Sequence, residues 1–176
     1  AGHHTLLAHG RSVQVIRARA KLESSIGYAP TGSPVIPADE GDEDNVEQAR
    51  KAMFAVNNRN CWNISWWSDP VILGHYPEDG FSTYGSAAPK VKDSDLDIMC
   101  QPLDFYGTNI YIGWTIGRNE QGRFRQVDRP QGNPICANKW PVTPEALYWG
   151  SRFYYERYGL PIVITENGLS NQDWVS

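Results

Sequence analysis

Near the end of the chain stands Pro161-Ile162-Val163-Ile164-Thr165-Glu166-Asn167-Gly168, an apolar run that ends in a carboxylate and a turn. Ile162, Val163 and Ile164 are β-branched and uninterrupted by polar residues, with Pro before them and an Asn-Gly turn signal after. Such a run is what a parallel strand covered on both faces looks like. A carboxylate, Glu166, stands where the strand gives way to the turn. In an α/β barrel the carboxyl end of a strand is where catalytic side chains sit. On its own, a Thr-Glu-Asn-Gly turn is more simply a solvated strand-end charge, so the surrounding sequence must decide.

Immediately upstream lies a well-punctuated helix. Thr143 is placed to cap it, Pro144 suits its first position, Gly159 falls just past its end and Pro161 lies beyond. Leu147, Tyr154 and Tyr158 fit its buried face. Residues 113–138, rich in Gly, Pro and Asn, read as a mobile loop on the active face rather than a linker. Before it, Leu103 to Tyr111 reads as a strand with its chemistry at the far end. Gly107 permits close backbone approach, and Asn109 and Tyr111 point the same way on a period of two.

The earlier half follows the same alternation. Residues 5–20 read as a helix with Leu6, Val13, Ile16 and Ala20 on one face and basic residues at its end. The pair His3-His4 is the native start of that helix, and His9 is a core histidine. Residues 25–29 read as a strand closed by Pro30, and 31–44 as a long acidic loop. A second helix begins where Asp44 caps and Glu47 reaches back as in a capping box, with Val46, Ala49, Met53 and Val56 on its apolar face. It gives way near Asn57-Asn58. Residues 63–100, with the Trp66-Trp67 pair, read as a loop insertion, functional or carrying small elements of its own. Strands alternating with helices imply parallel βαβ units in one structural unit without a linker.

Length and composition set bounds. At 176 residues the chain is long enough for one core. It is shorter than the about 250 residues of a complete (β/α)8 barrel. A net charge of -4 with interspersed signs argues against nucleic acid or an anionic membrane surface as partner. No apolar run approaches the roughly 20 residues of a membrane span, and no signal-peptide pattern opens the chain. The 3 cysteines, Cys61, Cys100 and Cys136, are widely spaced, without ligand spacing. They read as free thiols in a reducing compartment, hence a cytoplasmic location. Aromatics make up 12% of residues, including 7 tryptophans, which suits sugar stacking and large cores equally.

Four segments, in chain order, resemble glycoside hydrolase family 1, the β-glucosidase family. They are Leu6-Leu7-Ala8-His9-Gly10; Trp66-Trp67-Ser68-Asp69-Pro70 with Gly74-His75-Tyr76-Pro77; Asp104-Phe105-Tyr106-Gly107-Thr108-Asn109-Ile110-Tyr111; and Tyr158-Gly159-Leu160-Pro161 leading into Ile164-Thr165-Glu166-Asn167-Gly168. The resemblance implies an α/β fold: part of a (β/α)8 barrel with parallel strands and long active-face loops. Residues 1–176 would be a single partial barrel unit covering roughly the fifth to seventh strands, without the N-terminal strands and the last one.

The same resemblance implies a retaining β-glycosidase with Glu166 as nucleophile. Tyr111 would hold that carboxylate by a hydrogen bond, and Asn109 would line the pocket. Trp140 and Asn167 become candidate substrate contacts. The ligand would be a β-glucoside or short β-linked oligosaccharide, with no cofactor and no metal. The sequence departs from the family in places. Pro141 stands where the family usually has Glu after the tryptophan, and no Asn-Glu-Pro segment carries an acid/base. The reading is therefore an enzyme that works when the rest of the barrel completes it. The alternative is a non-catalytic module that binds sugar weakly or associates with itself or a complementary chain.

Overall fold

The apolar run at the end of the chain forms β6 (Ile162–Glu166). It lies parallel to β3 (Phe105–Asn109), which in turn lies parallel to β1 (Gly27–Tyr28), giving a three-stranded sheet of order β1-β3-β6. The computed structural model describes residues 1–172. Helices alternate with these strands, as expected of βαβ units: α1 (Gly2–Arg19) leads, α2 (Glu43–Phe54) follows β1, and α6 (Glu145–Tyr158) feeds β6. Close approach at the centre of the sheet requires Gly107, because a Cβ there would press on Ala29 of the β1 side and Thr165 of β6.

Several helix details differ from expectation. The cap of α2 is Asp42, whose carboxylate accepts from the Asp44 amide at 2.9 Å. The helix therefore starts earlier, and Glu47 faces Arg50 and Lys51 across one turn instead of reaching back. On α1 the buried residues are Leu6, Gly10 and Val13, while Ile16 and Ala20 are exposed. Thr143 does not cap α6 through its hydroxyl, which accepts from the Gly113 amide at 2.9 Å. The stop of α6 is as expected: Gly159 takes a left-handed conformation (φ 65°) and its amide bonds to Tyr155.

The three stretches expected to be loops hold structure. Residues 63–100 contain α3 (Ile64–Ile72), α4 (Glu78–Tyr84) and α5 (Asp93–Met99). Val35–Pro37 forms β2, and the chain after Gly113 forms a hairpin of β4 (Trp114–Arg118) and β5 (Phe124–Gln126). β2 pairs parallel with β4 and β4 antiparallel with β5, making a second small sheet beside the first. Asn45 of α2 joins it, donating to the Ile116 carbonyl and accepting from the Asp39 amide.

One apolar cluster lies between α2, α6 and the strands, with Met53, Phe54, Tyr106, Ile110, Trp149, Phe153 and Tyr154 at its centre. A second joins α1, α3 and α5 through Leu6, Val56, Trp66, Val71, Tyr76 and Met99. Between them sits a polar knot. Asp69, fully buried, accepts from the Arg157 guanidinium and from the Tyr158 hydroxyl at 3.0 Å. Ser68 meets the Tyr106 hydroxyl at 2.9 Å, and the Tyr106 and Tyr158 rings stack at 5.0 Å. The Trp66-Trp67-Ser68-Asp69-Pro70 segment thus fastens α3 to the end of α6.

β6 is not covered on both faces. Val163 is 42% and Ile164 38% exposed. The reason is topological: β6 pairs with β3 on one side, and among the described residues no strand pairs with its other edge.

Candidate active site

Parallel strands joined by helices put their carboxyl ends on one edge, and this brings the chemistry of β3 and β6 together. The two strands keep register as far as Thr108 opposite Ile164; then Asn109 falls opposite Glu166. Thr165 is the extra residue of this bulge, a device that re-aims a side chain next to a site. Glu166 is turned towards Tyr111, whose hydroxyl donates to its carboxylate at 2.7 Å. That hydrogen bond holds the Tyr111 phenol above its ordinary range; desolvation and the negative charge add to it. Tyr111 lies just past the end of β3, where the Ile110 amide bonds back to the Glu166 carbonyl at 2.9 Å.

Glu166, Tyr111, Asn109 and Trp140 line one cleft of about 710 Å³. Trp140 is 44% exposed, and its ring centroid stands 6.0 Å from that of Tyr111. It is carried by a tight turn in which Lys139 adopts a left-handed conformation (φ 66°) and the Lys139 amide bonds to the Cys136 carbonyl. This turn is clipped to the segment after β6, because the amides of Ala137 and Asn138 bond to Ser170. Asn167 is not among the residues lining the cleft. Its amide donates to the Ile110 carbonyl at 2.7 Å, fastening the turn after β6 to the end of β3.

The opposite wall comes from residues that sequence reasoning did not single out. Asn57, Asn58, Asn60, Trp62 and Asn63 line it from the α2–α3 connection, with Trp114 and Gln126 from the hairpin. Asn63 holds this connection in shape: its amide donates to the Asn58 and Asn60 carbonyls and to the Tyr84 hydroxyl. The only hint in the sequence is the density of asparagines from 57 to 63. Aromatic faces beside amides and a carboxylate form a surface suited to a polar, ring-shaped ligand. Among the described residues no group of His, Cys, Asp and Glu could hold a metal ion.

The model of glycosyl hydrolase family 1 matches residues 1–176. The 1,4-beta-D-glucan glucohydrolase of Thermotoga neapolitana is 30% identical over 177 residues, taking in 99% of this chain and 39% of that protein. The β-glucosidase from Thermotoga maritima in complex with deoxynojirimycin superposes with a TM-score of 0.74 at 28% identity, over 99% of this chain and 37% of that one. The virulence factor SghA from Agrobacterium tumefaciens, in complex with its substrate analogue salicin, superposes with a TM-score of 0.74 at 30% identity, over 99% and 38%. The chain thus spans under two fifths of the length of these relatives, and β1, β3 and β6 are neighbouring strands in part of a (β/α)8 barrel wall. With the match running from Ala1 to Ser176, the chain belongs to glycosyl hydrolase family 1.

Proposed function

We propose that this chain supplies the nucleophile half of a retaining β-glycosidase acting on terminal β-D-glucosyl residues. The observation that carries the reading is the Tyr111–Glu166 hydrogen bond of 2.7 Å at the carboxyl ends of adjacent parallel strands, inside the cleft. Glu166 attacks the anomeric carbon as the bond from that carbon to the aglycone oxygen breaks. A second carboxyl group, about 5–5.5 Å away in retaining enzymes, protonates the leaving oxygen. Water, deprotonated by the same group, then displaces Glu166 and releases the sugar with its configuration retained. Tyr111 keeps the carboxylate aimed while the ester forms. Trp140 offers a face for a sugar ring, and Asn109 lines the pocket beside Glu166. In this reading the second carboxyl group stands on a part of the barrel that completes this chain, in the same protein or a partner. Three free thiols among the described residues agree with a reducing, cytoplasmic setting.

One observation favours a second reading, a sugar-binding module without turnover. Among the described residues Glu166 is the only carboxylate lining the cleft. One experiment separates the two. Joined to its complementary barrel strands, the chain cleaves aryl β-glucosides with retention, Glu166→Gln abolishes turnover, and azide or formate rescues Glu166→Ala. Undiminished turnover in Glu166→Gln removes the nucleophile assignment. A lack of turnover in the completed wild-type protein, with sugar still bound, favours the module.

A further inference from the structure

Just past β3, both polar backbone groups of Ile110 are held by the far strand. Its amide donates to the Glu166 carbonyl at 2.9 Å, and its carbonyl accepts from the Asn167 side-chain amide at 2.7 Å. In a regular parallel ladder, a residue whose N–H donates to one residue accepts at its carbonyl from the N–H two positions further along the partner strand. With Glu166 as the acceptor, the regular donor to Ile110 is the Gly168 amide. Among the described residues that amide makes no backbone hydrogen bond, and Gly168 turns away at φ 150°, a conformation open to glycine. The Asn167 side chain stands in for it. A carbonyl oxygen only accepts, so this bond requires the N–H side of the Asn167 carboxamide; the opposite flip would set oxygen against oxygen.

The bonded carbonyl belongs to the peptide that joins Ile110 to Tyr111. The Ile110 side chain is buried in the core, so that peptide is tied between the core and the turn after β6. From this geometry we infer that Asn167 is a positioning residue. It extends the β3–β6 ladder by one side-chain rung and so holds the Tyr111 hydroxyl on the Glu166 carboxylate. The chain can then leave the sheet directly after Glu166 without freeing the peptide that carries Tyr111. Asn167 is not among the residues lining the cleft, so it acts through Tyr111 rather than on a ligand. This rests on the proposal that Glu166 is the nucleophile.

The test is a double-mutant cycle in the completed enzyme, read as kcat and KM for an aryl β-glucoside, with melting temperature alongside. Asn167→Ala removes the rung; loss of a net hydrogen bond's contribution lowers kcat roughly three- to tenfold. KM stays unchanged, because no contact to the bound sugar is lost. Asn167→Asp keeps the shape without the donor and falls at least as far. In a Tyr111→Phe background Asn167→Ala costs nothing further. A rise in KM at unchanged kcat makes Asn167 a substrate contact and overturns the inference. Additive losses in the cycle, or a lower melting temperature with kinetics equal to wild type, overturn it too. If Glu166→Gln is inactive while Asn167→Ala equals wild type, the inference fails and the nucleophile reading stands. If Glu166→Gln retains turnover, the nucleophile reading has failed and the inference with it.

Discussion

Replacing Asp69 with asparagine preserves shape and removes one charge from the buried knot between α3 and α6. The wild-type carboxylate is 0% exposed, accepts from Arg157 Nε at 3.0 Å and from its Nη2, and accepts from the Tyr158 hydroxyl at 3.0 Å. Removing one partner of a buried ion pair costs about 3–5 kcal/mol, because the other charge is left uncompensated. Here the Arg157 side chain is 31% exposed and also lies over the Phe54 ring, so part of its hydration is recoverable. That places the loss near the lower bound, about 3 kcal/mol. For a domain of this size each kcal/mol is worth about 2–4 °C, so the melting temperature should fall by roughly 6–12 °C. Thermal unfolding followed by circular dichroism reads it directly. Asp69→Asn in an Arg157→Met background should cost much less than in wild type, since no charge is then stranded. A shift below about 2 °C in the single variant would refute the argument that this pair holds α3 to α6.

Other outcomes follow from particular contacts. Tyr111→Phe should lower kcat/KM of the completed enzyme roughly tenfold or more, the usual loss when a hydrogen bond to a charged group is removed, while leaving the fold unchanged by circular dichroism. Gly10→Ala should separate α1 from α5, because a Cβ there would run into the backbone of Ile98 and Met99; overpacking of this kind costs about 1–3 kcal/mol, measurable as a lower urea midpoint. Asp104 is held below the ordinary carboxylate range by the Ile26 amide first and by Arg17 second. Its folded pKa is depressed, so its stabilisation is present above about pH 3.9 and is lost as pH falls through the lower folded value. The stability difference between wild type and Asp104→Asn should be constant near neutrality and vanish in acid, as read by unfolding across pH. Finally, the edge of β6 that no strand among the described residues pairs, with Val163 and Ile164 exposed, should make the isolated chain self-associate or take up complementary barrel strands. A compact monomer with cooperative unfolding in sedimentation and melting experiments at micromolar concentration would contradict this.

The parts of the fold legible in the sequence are those whose signals are local. α6 announced itself through Pro144 and Gly159, and β6 through three β-branched residues ended by Asn-Gly. β3 showed Asn109 and Tyr111 at its far end, and the structure brings both to the Glu166 cleft. The second sheet was not legible. Val35-Ile36-Pro37 is too short to show a period, and its partner β4 lies 79 positions on from Val35 at Trp114, so its pairing leaves no local trace. The α2–α3 wall of the cleft was hidden for the same reason, since asparagine-rich connections look like any solvated loop until the fold sets them opposite Glu166. The exposure of β6 could not be read either. An uninterrupted apolar run reports what a strand is suited to, not which neighbours are present beside it.

Trapping shows whether Glu166 forms a covalent bond to the sugar. A 2-deoxy-2-fluoro-β-glucoside with a good leaving group forms the glycosyl-enzyme faster than water can release it, because fluorine disfavours the oxocarbenium-like transition state of both steps while the leaving group rescues the first. Incubated with the completed barrel and analysed by peptide mass spectrometry, it should add one fluoroglucosyl group to the peptide carrying Glu166 and inactivate the enzyme in step with labelling. An enzyme that turns over aryl glucosides yet carries the label on another residue, or on none, would contradict the account.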